Sequence, residues 1–237
     1  NTVSAASFAE KIVFNCLAGS VVKDASASNP LKRLTSGGSE FYFNYYSPSV
    51  FHALRTSYGL SHEEYLAALG IAKFKSSLMF GCLTGLAEMS SSGRSGSFFY
   101  SSHDSRFVIK TIPDHEAKTL RRVLQQYFQH ITTQPNTTIV RFTGLHALVR
   151  GAQKIYFVVM TNIFMNKLPI HETFDLKGST VNRSTPAELR GSGVALKDND
   201  FGDQRKLSVG PAAKAELLAQ LTADSLFLSK MNLNDYS

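Results

Sequence analysis

Between Gly93 and Ile112 the chain reads Gly-Arg-Ser-Gly-Ser-Phe-Phe-Tyr-Ser-Ser-His-Asp-Ser-Arg-Phe-Val-Ile-Lys-Thr-Ile, and no other stretch limits the fold as much. A glycine-poised loop (Gly93, Ser95, Gly96, Ser97) leads directly into a strand expected over 98–102. A polar turn at His103 and Asp104 follows, then a second strand over 106–112. Alternation puts Val108, Lys110 and Ile112 on one face of that strand and Phe107, Ile109 and Thr111 on the other. A lysine within an apolar strand face is costly to bury unpaired, so Lys110 calls for an anionic partner. Glycine loop, hairpin and lysine together suit a phosphate cradle with its counter-charge.

The helix behind the hairpin names a candidate for that partner. From about Asp114 to Ile131, apolar residues recur at Leu120, Val123, Leu124, Tyr127, Phe128 and Ile131, while Arg121, Arg122, Gln125, Gln126 and Gln129 take the opposite side. Glu116 lies one turn before Leu120, at the edge of the buried face. Two readings of it stand. It is a first-turn carboxylate favoured by the helix dipole, or it is the partner of Lys110, as in the strand-lysine to helix-glutamate pair of protein kinases.

With 237 residues the chain is long enough for one large domain or two lobes, and 43% hydrophobic with 18% charged residues excludes a disordered chain. A net charge of +7 favours anionic partners such as nucleotide, phospholipid surface or nucleic acid. Nucleic acid is disfavoured because no aromatic-basic recognition motif appears. The two cysteines, Cys16 and Cys82, make neither a disulfide framework nor a metal site, as expected of a cytosolic chain. No apolar run reaches membrane-spanning length; the best, 78–87, is short and broken by Gly81 and Gly85.

Elsewhere the pattern predicts a Ser/Ala-rich N-terminal extension or linker over 1–38, with a weak helical or strand-like start at 8–22. A strand is expected at 41–45, then a helix capped by Ser47 with Pro48 in its first turn. Ser61 and Glu64 form a capping box for another helix, with Tyr65, Leu66 and Leu69 inward. Strands follow at 138–145 and 153–164, and the run 155–160 is apolar throughout, as in a strand covered on both faces. The fold class is therefore α+β, an antiparallel sheet with packed helices.

A second constellation is Phe174-Asp-Leu-Lys-Gly-Ser-Thr, where Lys177 precedes a loop rich in hydrogen-bond donors. It suits phosphate, and it equally suits an ordinary turn. Lys197-Asp-Asn-Asp-Phe reads as an acidic turn. Residues 211–230 read as a helix whose Leu217, Leu218, Leu221, Leu226 and Leu228 supply apolar contacts.

Taken in order, these segments resemble the catalytic domain of the phosphatidylinositol phosphate kinases. The similarity runs from Phe-Tyr-Phe-Asn-Tyr-Tyr-Ser-Pro-Ser-Val-Phe (41–51) to the closing Asp-Tyr-Ser (235–237). It includes Ser-Gly-Ser-Phe-Phe-Tyr, Arg-Phe-Val-Ile-Lys-Thr-Ile, Phe-Asp-Leu-Lys-Gly-Ser-Thr and Lys-Asp-Asn-Asp-Phe.

The resemblance implies a two-lobed, protein-kinase-like lipid kinase fold: an N-terminal lobe over 39–161, then a hinge and the beginning of an incomplete C-terminal lobe over 162–237. The loop 93–98 would cover the nucleotide, with Gly96 letting the backbone approach phosphate. Lys110 would bind phosphate with Glu116 as its partner, and Val108 would roof the adenine. Asn162, Ile163 and Phe164 would read the base through their backbone, Lys177 would be a second cation near the phosphates, and Asp235 would be the catalytic aspartate. The implied cofactors are ATP and Mg2+. The implied partners are a phosphoinositide lipid in an anionic membrane and a homodimeric second copy, at a cytoplasmic, peripheral membrane location.

The activity implied is transfer of the γ-phosphate of ATP to a phosphatidylinositol monophosphate, giving a bisphosphate. Against the family's closing Met-Asp-Tyr-Ser, Asn234 stands in place of methionine. The family's downstream metal-binding aspartate and activation loop would follow Ser237, which leaves the metal ligands unassigned and makes a catalytically dead interaction module the alternative from another class. The glycine loop and its strand are closer to the 5-kinases. Residues 197–201 and 206–210 are closer to the 4-kinases.

Overall fold

A computed structural model describes residues 3–17, 40–69, 87–89, 97–102, 104–165, 169–191, 193–202 and 205–233. The chain divides into two compact units, one formed by Asn1–Thr133 with Val140–Met165 and the other by Gln134–Ile139 with Asn166–Ser237.

The first unit is built on a seven-stranded antiparallel sheet. Its strands are β1 (Lys11–Leu17), β2 (Glu40–Tyr46), β3 (Ala87–Met89), β4 (Phe99–Ser101), β5 (Phe107–Ile112), β6 (Phe142–Arg150) and β7 (Gln153–Thr161). Their spatial order is β1-β2-β6-β7-β5-β4-β3. The helices are α1 (Ala5–Ala9), α2 (Pro48–Ser57), α3 (His62–Ala68) and α4 (Asp114–Thr133). Within the N-terminal stretch, where a helical or strand-like start is expected over 8–22, lies an edge strand: β1 pairs with β2 from Lys11↔Tyr46 to Leu17↔Glu40.

Register assigns the side chains of the sheet to two faces. On one, Tyr100, Phe107, Ile109, Leu148, Phe157 and Val159 meet Tyr65 and Ala68 from α3 and Leu69 just after it. On the other, Lys110, Val158, Leu145 and Tyr46 follow one another across β5, β7, β6 and β2. Helix α4 belongs to this second face, since Tyr127 packs on Phe142 and Arg121 lies over Tyr46. The central run Tyr156, Phe157, Val158 and Val159 is buried throughout, because β7 is covered on both sides. The strand expected at 138–145 instead begins at Phe142 and extends to Arg150.

Helix α3 begins with the expected capping box: Ser61 Oγ accepts from the Glu64 amide (3.1 Å), and Glu64 Oε2 accepts from the Ser61 amide (2.9 Å). Ser47 behaves otherwise. It occupies the position before α2, but its backbone is left-handed (φ 45°), and its hydroxyl donates to Phe8 O at 2.7 Å instead of capping the helix. The expected cap is lost to a tertiary bond.

A buried polar cluster ties β6 to α2 and α3. Arg55 donates to Tyr45 Oη and Thr143 O, each at 2.7 Å, and its guanidinium lies 4.2 Å from the Tyr65 ring. Tyr65 Oη is 3.1 Å from His146 Nε2. Gly144 sits at the bulge in β6, where an added Cβ would come within 2.4 Å of Tyr65 Oη and 2.6 Å of His146 Nε2. Only glycine leaves room for that bond. Burial, aided by the Arg55 charge, pushes the His146 pKa down to about 3.

The unfolded chain therefore takes up a proton near pH 6.5 that the folded chain refuses until about pH 3. Stability contributed by neutral His146 is complete above the unfolded value and falls as pH drops through this window. Between pH 7 and pH 5 the expected loss is about 2 kcal/mol. Urea midpoints at the two pH values should differ more in wild type than in His146→Gln, and an identical difference in both would refute the assignment.

The second unit carries a short parallel pair, β8 (Phe174–Asp175) and β9 (Leu196–Lys197), followed by the one-turn helix α5 (Asp198–Phe201) and the long α6 (Pro211–Lys230). Helix α6 has its expected limits but not its expected packing. Leu217, Leu218, Leu221 and Leu226 are exposed, and the buried position is Asp224. Asp224 is held by its bonds: its carboxylate accepts from Thr137 Oγ1 (2.7 Å) and from both the amide and the hydroxyl of Thr138 (2.8 Å each). Among the described residues, no helix is long and apolar enough to cross a membrane.

Candidate functional site

The hairpin at 98–112 is assembled by local bonds. The Phe98 amide donates to Thr111 Oγ1 at 2.9 Å, and the Thr111 amide returns to Phe98 O at 3.0 Å. Asp104 shapes the turn, accepting from Ser102 Oγ (2.7 Å), the Arg106 amide (3.1 Å) and Arg106 Nε (2.6 Å). Ser97 is buried at the start of this hairpin. Gly93, Ser95 and Gly96, the rest of the expected phosphate loop, lie outside the described residues.

Lys110 stands opposite Phe99 on β4 and Val158 on β7. Its Nζ lies 4.0 Å from Glu116 Oε2 and 5.8 Å from the centre of the Phe99 ring. Only Pro113 separates β5 from α4, so the chain turns at once and carries the first helical turn, with Glu116, back beside the lysine. The lysine is less enclosed than alternation implied. Its side chain is 28% exposed and that of Glu116 46%. The closed face of β5 is the other one, where Phe107 and Ile109 are packed by α3. A half-open cation with a partner at contact limit can exchange that partner for a ligand oxygen at small desolvation cost.

Val108 shares the Lys110 face and pairs with Met160, and β7 ends one residue later at Thr161. The expected base-reading segment, 162–164, thus begins four positions along β7 from Val158, the partner of Lys110. At roughly 3.3 Å per strand residue this is about 13 Å, a span suited to an extended nucleotide. Ile163 and Phe164 are exposed. The backbone, however, is already engaged: the Asn162 amide donates to Arg106 O at 2.8 Å, and the Phe164 amide to Asn162 Oδ1 at 3.0 Å. A base reading these two amides must displace those bonds.

In the second unit, Lys177 is exposed on the loop that follows β8. The backbone amides of this loop are engaged within the protein. Asp198 Oδ1 accepts from the amides of Lys177 (2.9 Å) and Gly178 (2.8 Å), so an internal carboxylate occupies the anion-binding turn. Arg183 Nε donates to Asp198 Oδ2 at 2.6 Å, and this bond, with the two amides, pulls the Asp198 pKa down to about 2. Asn199 Nδ2 donates to Thr180 O (3.0 Å) and Ser184 Oγ (2.9 Å), while Asp200 Oδ2 accepts from the Thr185 amide (2.9 Å). Sequence reasoning treated 198–200 as a polar turn. Their succession of three short polar side chains was the available signal, and their partners lie 15 to 21 residues earlier in the chain.

Asp235 lies outside the described residues, as does Cys82. Among the described residues, no group of three or more His, Cys, Asp or Glu side chains is placed to hold a metal ion.

A family model described as Phosphatidylinositol-4-phosphate 5-Kinase matches residues 80–237. A probable phosphatidylinositol phosphate kinase of Dictyostelium discoideum is 36% identical over 215 residues, covering 90% of this chain and 29% of that protein. A phosphatidylinositol 4-phosphate 5-kinase of Plasmodium falciparum is 36% identical over 82% of this chain and 12% of its own length. The phosphatidylinositol 4-phosphate 5-kinase its3 of Schizosaccharomyces pombe is 39% identical, covering 84% of this chain and 26% of its own length. The chain therefore spans less than a third of these curated relatives. A lysine-bearing strand joined to a glutamate-bearing helix, within a match over most of the sequence, places the chain in the phosphatidylinositol-4-phosphate 5-kinase family.

Proposed function

We propose that this chain carries the nucleotide-holding part of a lipid kinase that phosphorylates a phosphatidylinositol monophosphate to a bisphosphate, with the 5-hydroxyl as acceptor. The observation that carries the reading is the approach of Lys110 Nζ to Glu116 Oε2, 4.0 Å, at the junction of β5 and α4. The names of curated relatives, phosphatidylinositol 4-phosphate 5-kinases, support the 5-hydroxyl over the 4-hydroxyl.

ATP, when bound, supplies the γ-phosphoryl group. Catalysis of this transfer is mostly positioning and charge neutralisation. Lys110 neutralises phosphate oxygens, Glu116 keeps the lysine on station, and Val108 covers the base. The loop through Gly93, Ser95, Gly96 and Ser97 closes over the phosphates. Residues 162–164 receive the base, and Lys177 supplies a second cation. Asp235 takes the proton of the inositol hydroxyl as its oxygen bonds to the γ-phosphorus and the bond to the leaving ADP oxygen breaks. Among the described residues no cluster of three or more His, Cys, Asp or Glu side chains is placed to hold a metal ion, and no step is assigned to Mg2+. The substrate lipid puts the protein at an anionic membrane surface on the cytoplasmic side, where the net charge of +7 favours docking.

The test is a transfer assay with the full-length protein and labelled ATP on vesicles bearing each phosphatidylinositol monophosphate separately. The expected product is the 4,5-bisphosphate from the 4-phosphate, with vesicle binding that weakens as salt rises. Transfer only to the 5-phosphate would reverse the positional assignment. Absence of transfer to any lipid, with nucleotide binding retained, would favour a kinase-like interaction module.

A further inference from the structure

The exposed Lys177 lies on a loop of exposed residues, and at the lysine itself the backbone is held by one carboxylate. Strands β8 and β9 run parallel, pairing Phe174 with Leu196 and Asp175 with Lys197, so both chains leave the ladder at the same end. The residue after β9 is Asp198, and it meets the amides just past β8. One of its oxygens, Oδ1, takes two successive N–H groups, those of Lys177 and Gly178. Gly178 adopts φ 67°, the left-handed value that turns neighbouring amides toward one point and that a side chain would oppose.

The other oxygen is held by Arg183, which spans two elements. Its Nε donates to Asp198 Oδ2 (2.6 Å), and its NH2 group donates to Asp175 O and lies 3.1 Å from Asp175 Oδ2. The Arg183 and Asp198 side chains are each only 12% exposed. The loop 176–183 is thus closed at both ends on one ionised group, with the lysine at the clasped point.

We infer that Asp198, locked by Arg183, is a positioning residue that sets the backbone of Lys177 for phosphoryl transfer. The inference rests on the function proposed above. It adds a carboxylate and an arginine that act through the lysine. Fixing Lys177 at Cα leaves only its side-chain torsions free, so the ammonium reaches the phosphates from one origin; a misplacement of about 1 Å in such a group costs about a hundredfold in rate.

The experiment is a double-mutant cycle in the full-length protein, using Asp198→Asn, Lys177→Ala and the pair, with kcat and the KM for ATP measured on phosphoinositide vesicles. An amide side chain has one oxygen and can serve the two backbone donors or Arg183, not both. Asp198→Asn should lower kcat about tenfold to a hundredfold, leave the KM for ATP within about twofold, and speed hydrogen exchange at the Lys177 and Gly178 amides. The double variant should be no slower than Lys177→Ala alone, because a group acting through the lysine has nothing left to position. Wild-type kcat in Asp198→Asn, or losses that multiply in the pair, would overturn the inference while leaving the kinase reading intact. A silent Lys177→Ala would overturn the role of the lysine itself, and the inference with it. Should Asp198→Asn fail to fold, Arg183→Lys keeps the charge but loses the fork. It is expected to lower kcat and to speed exchange at the same two amides, and wild-type values for both would count against the clasp.

Discussion

Lys110→Met should lower nucleotide turnover by about two to three orders of magnitude, the usual cost of removing one preorganised charge from a transfer site. The fold should survive. Lys110 sits on the half-open face of β5, opposite Val158, where an unbranched apolar side chain can lie along the strand. Binding of a non-hydrolysable ATP analogue should fall with the activity, and the thermal midpoint should move little. Unchanged affinity in a folded variant would remove Lys110 from the phosphate site.

The second large effect lies on the reverse of the same strand. Phe107 is fully buried, edge-on to Tyr65 of α3 with ring centres 5.6 Å apart. Phe107→Ala should cost about 3–5 kcal/mol, since the cluster of Tyr65, Leu69, Tyr100 and Val159 cannot collapse into the space. Val108→Ala, one residue away on the half-open face, should cost a small part of that. Urea denaturation of the two variants distinguishes the faces, and equal losses would mean that the sheet is not packed as described.

These two positions also mark where sequence reading reached its limit. Alternation correctly grouped Val108 with Lys110 and Phe107 with Ile109. It implied an enclosed Lys110, whereas the closed side is that of Phe107 and Ile109, because Tyr65 of α3 and Leu69 just after it cover that side from some forty residues upstream. The 20-residue helix α4 was legible from its period alone, since its buried residues are set by one continuous stripe. The α6 leucines show the opposite case: composition predicted the helix, but what they pack against is a tertiary matter, and among the described residues they are exposed.

Side-chain bonds to distant backbone were the least visible class. Ser47 has the identity and position of a helix cap, yet its hydroxyl goes to Phe8 O, 39 residues away. Asp198, Asn199 and Asp200 organise the Lys177 loop through bonds that no periodicity encodes. The Lys110–Glu116 contact was reachable because it is local: six positions apart, with Pro113 forcing the strand to end and the helix to begin. The glycine loop and Asp235 fall on residues outside the structural description, and their roles rest on sequence resemblance.

In the proposed function, Lys110 is the group that meets nucleotide phosphate. An ATP analogue carrying a lysine-reactive acyl phosphate places its electrophile at the phosphates and acylates the amine that lies there. Peptide mapping of the labelled full-length protein should find the modification on Lys110, suppressed by excess ATP and absent from Lys118, whose ammonium is held by Asp114 at 2.6 Å. Labelling that bypasses Lys110, or that ATP does not suppress, would contradict the assignment of this strand as the phosphate-holding centre.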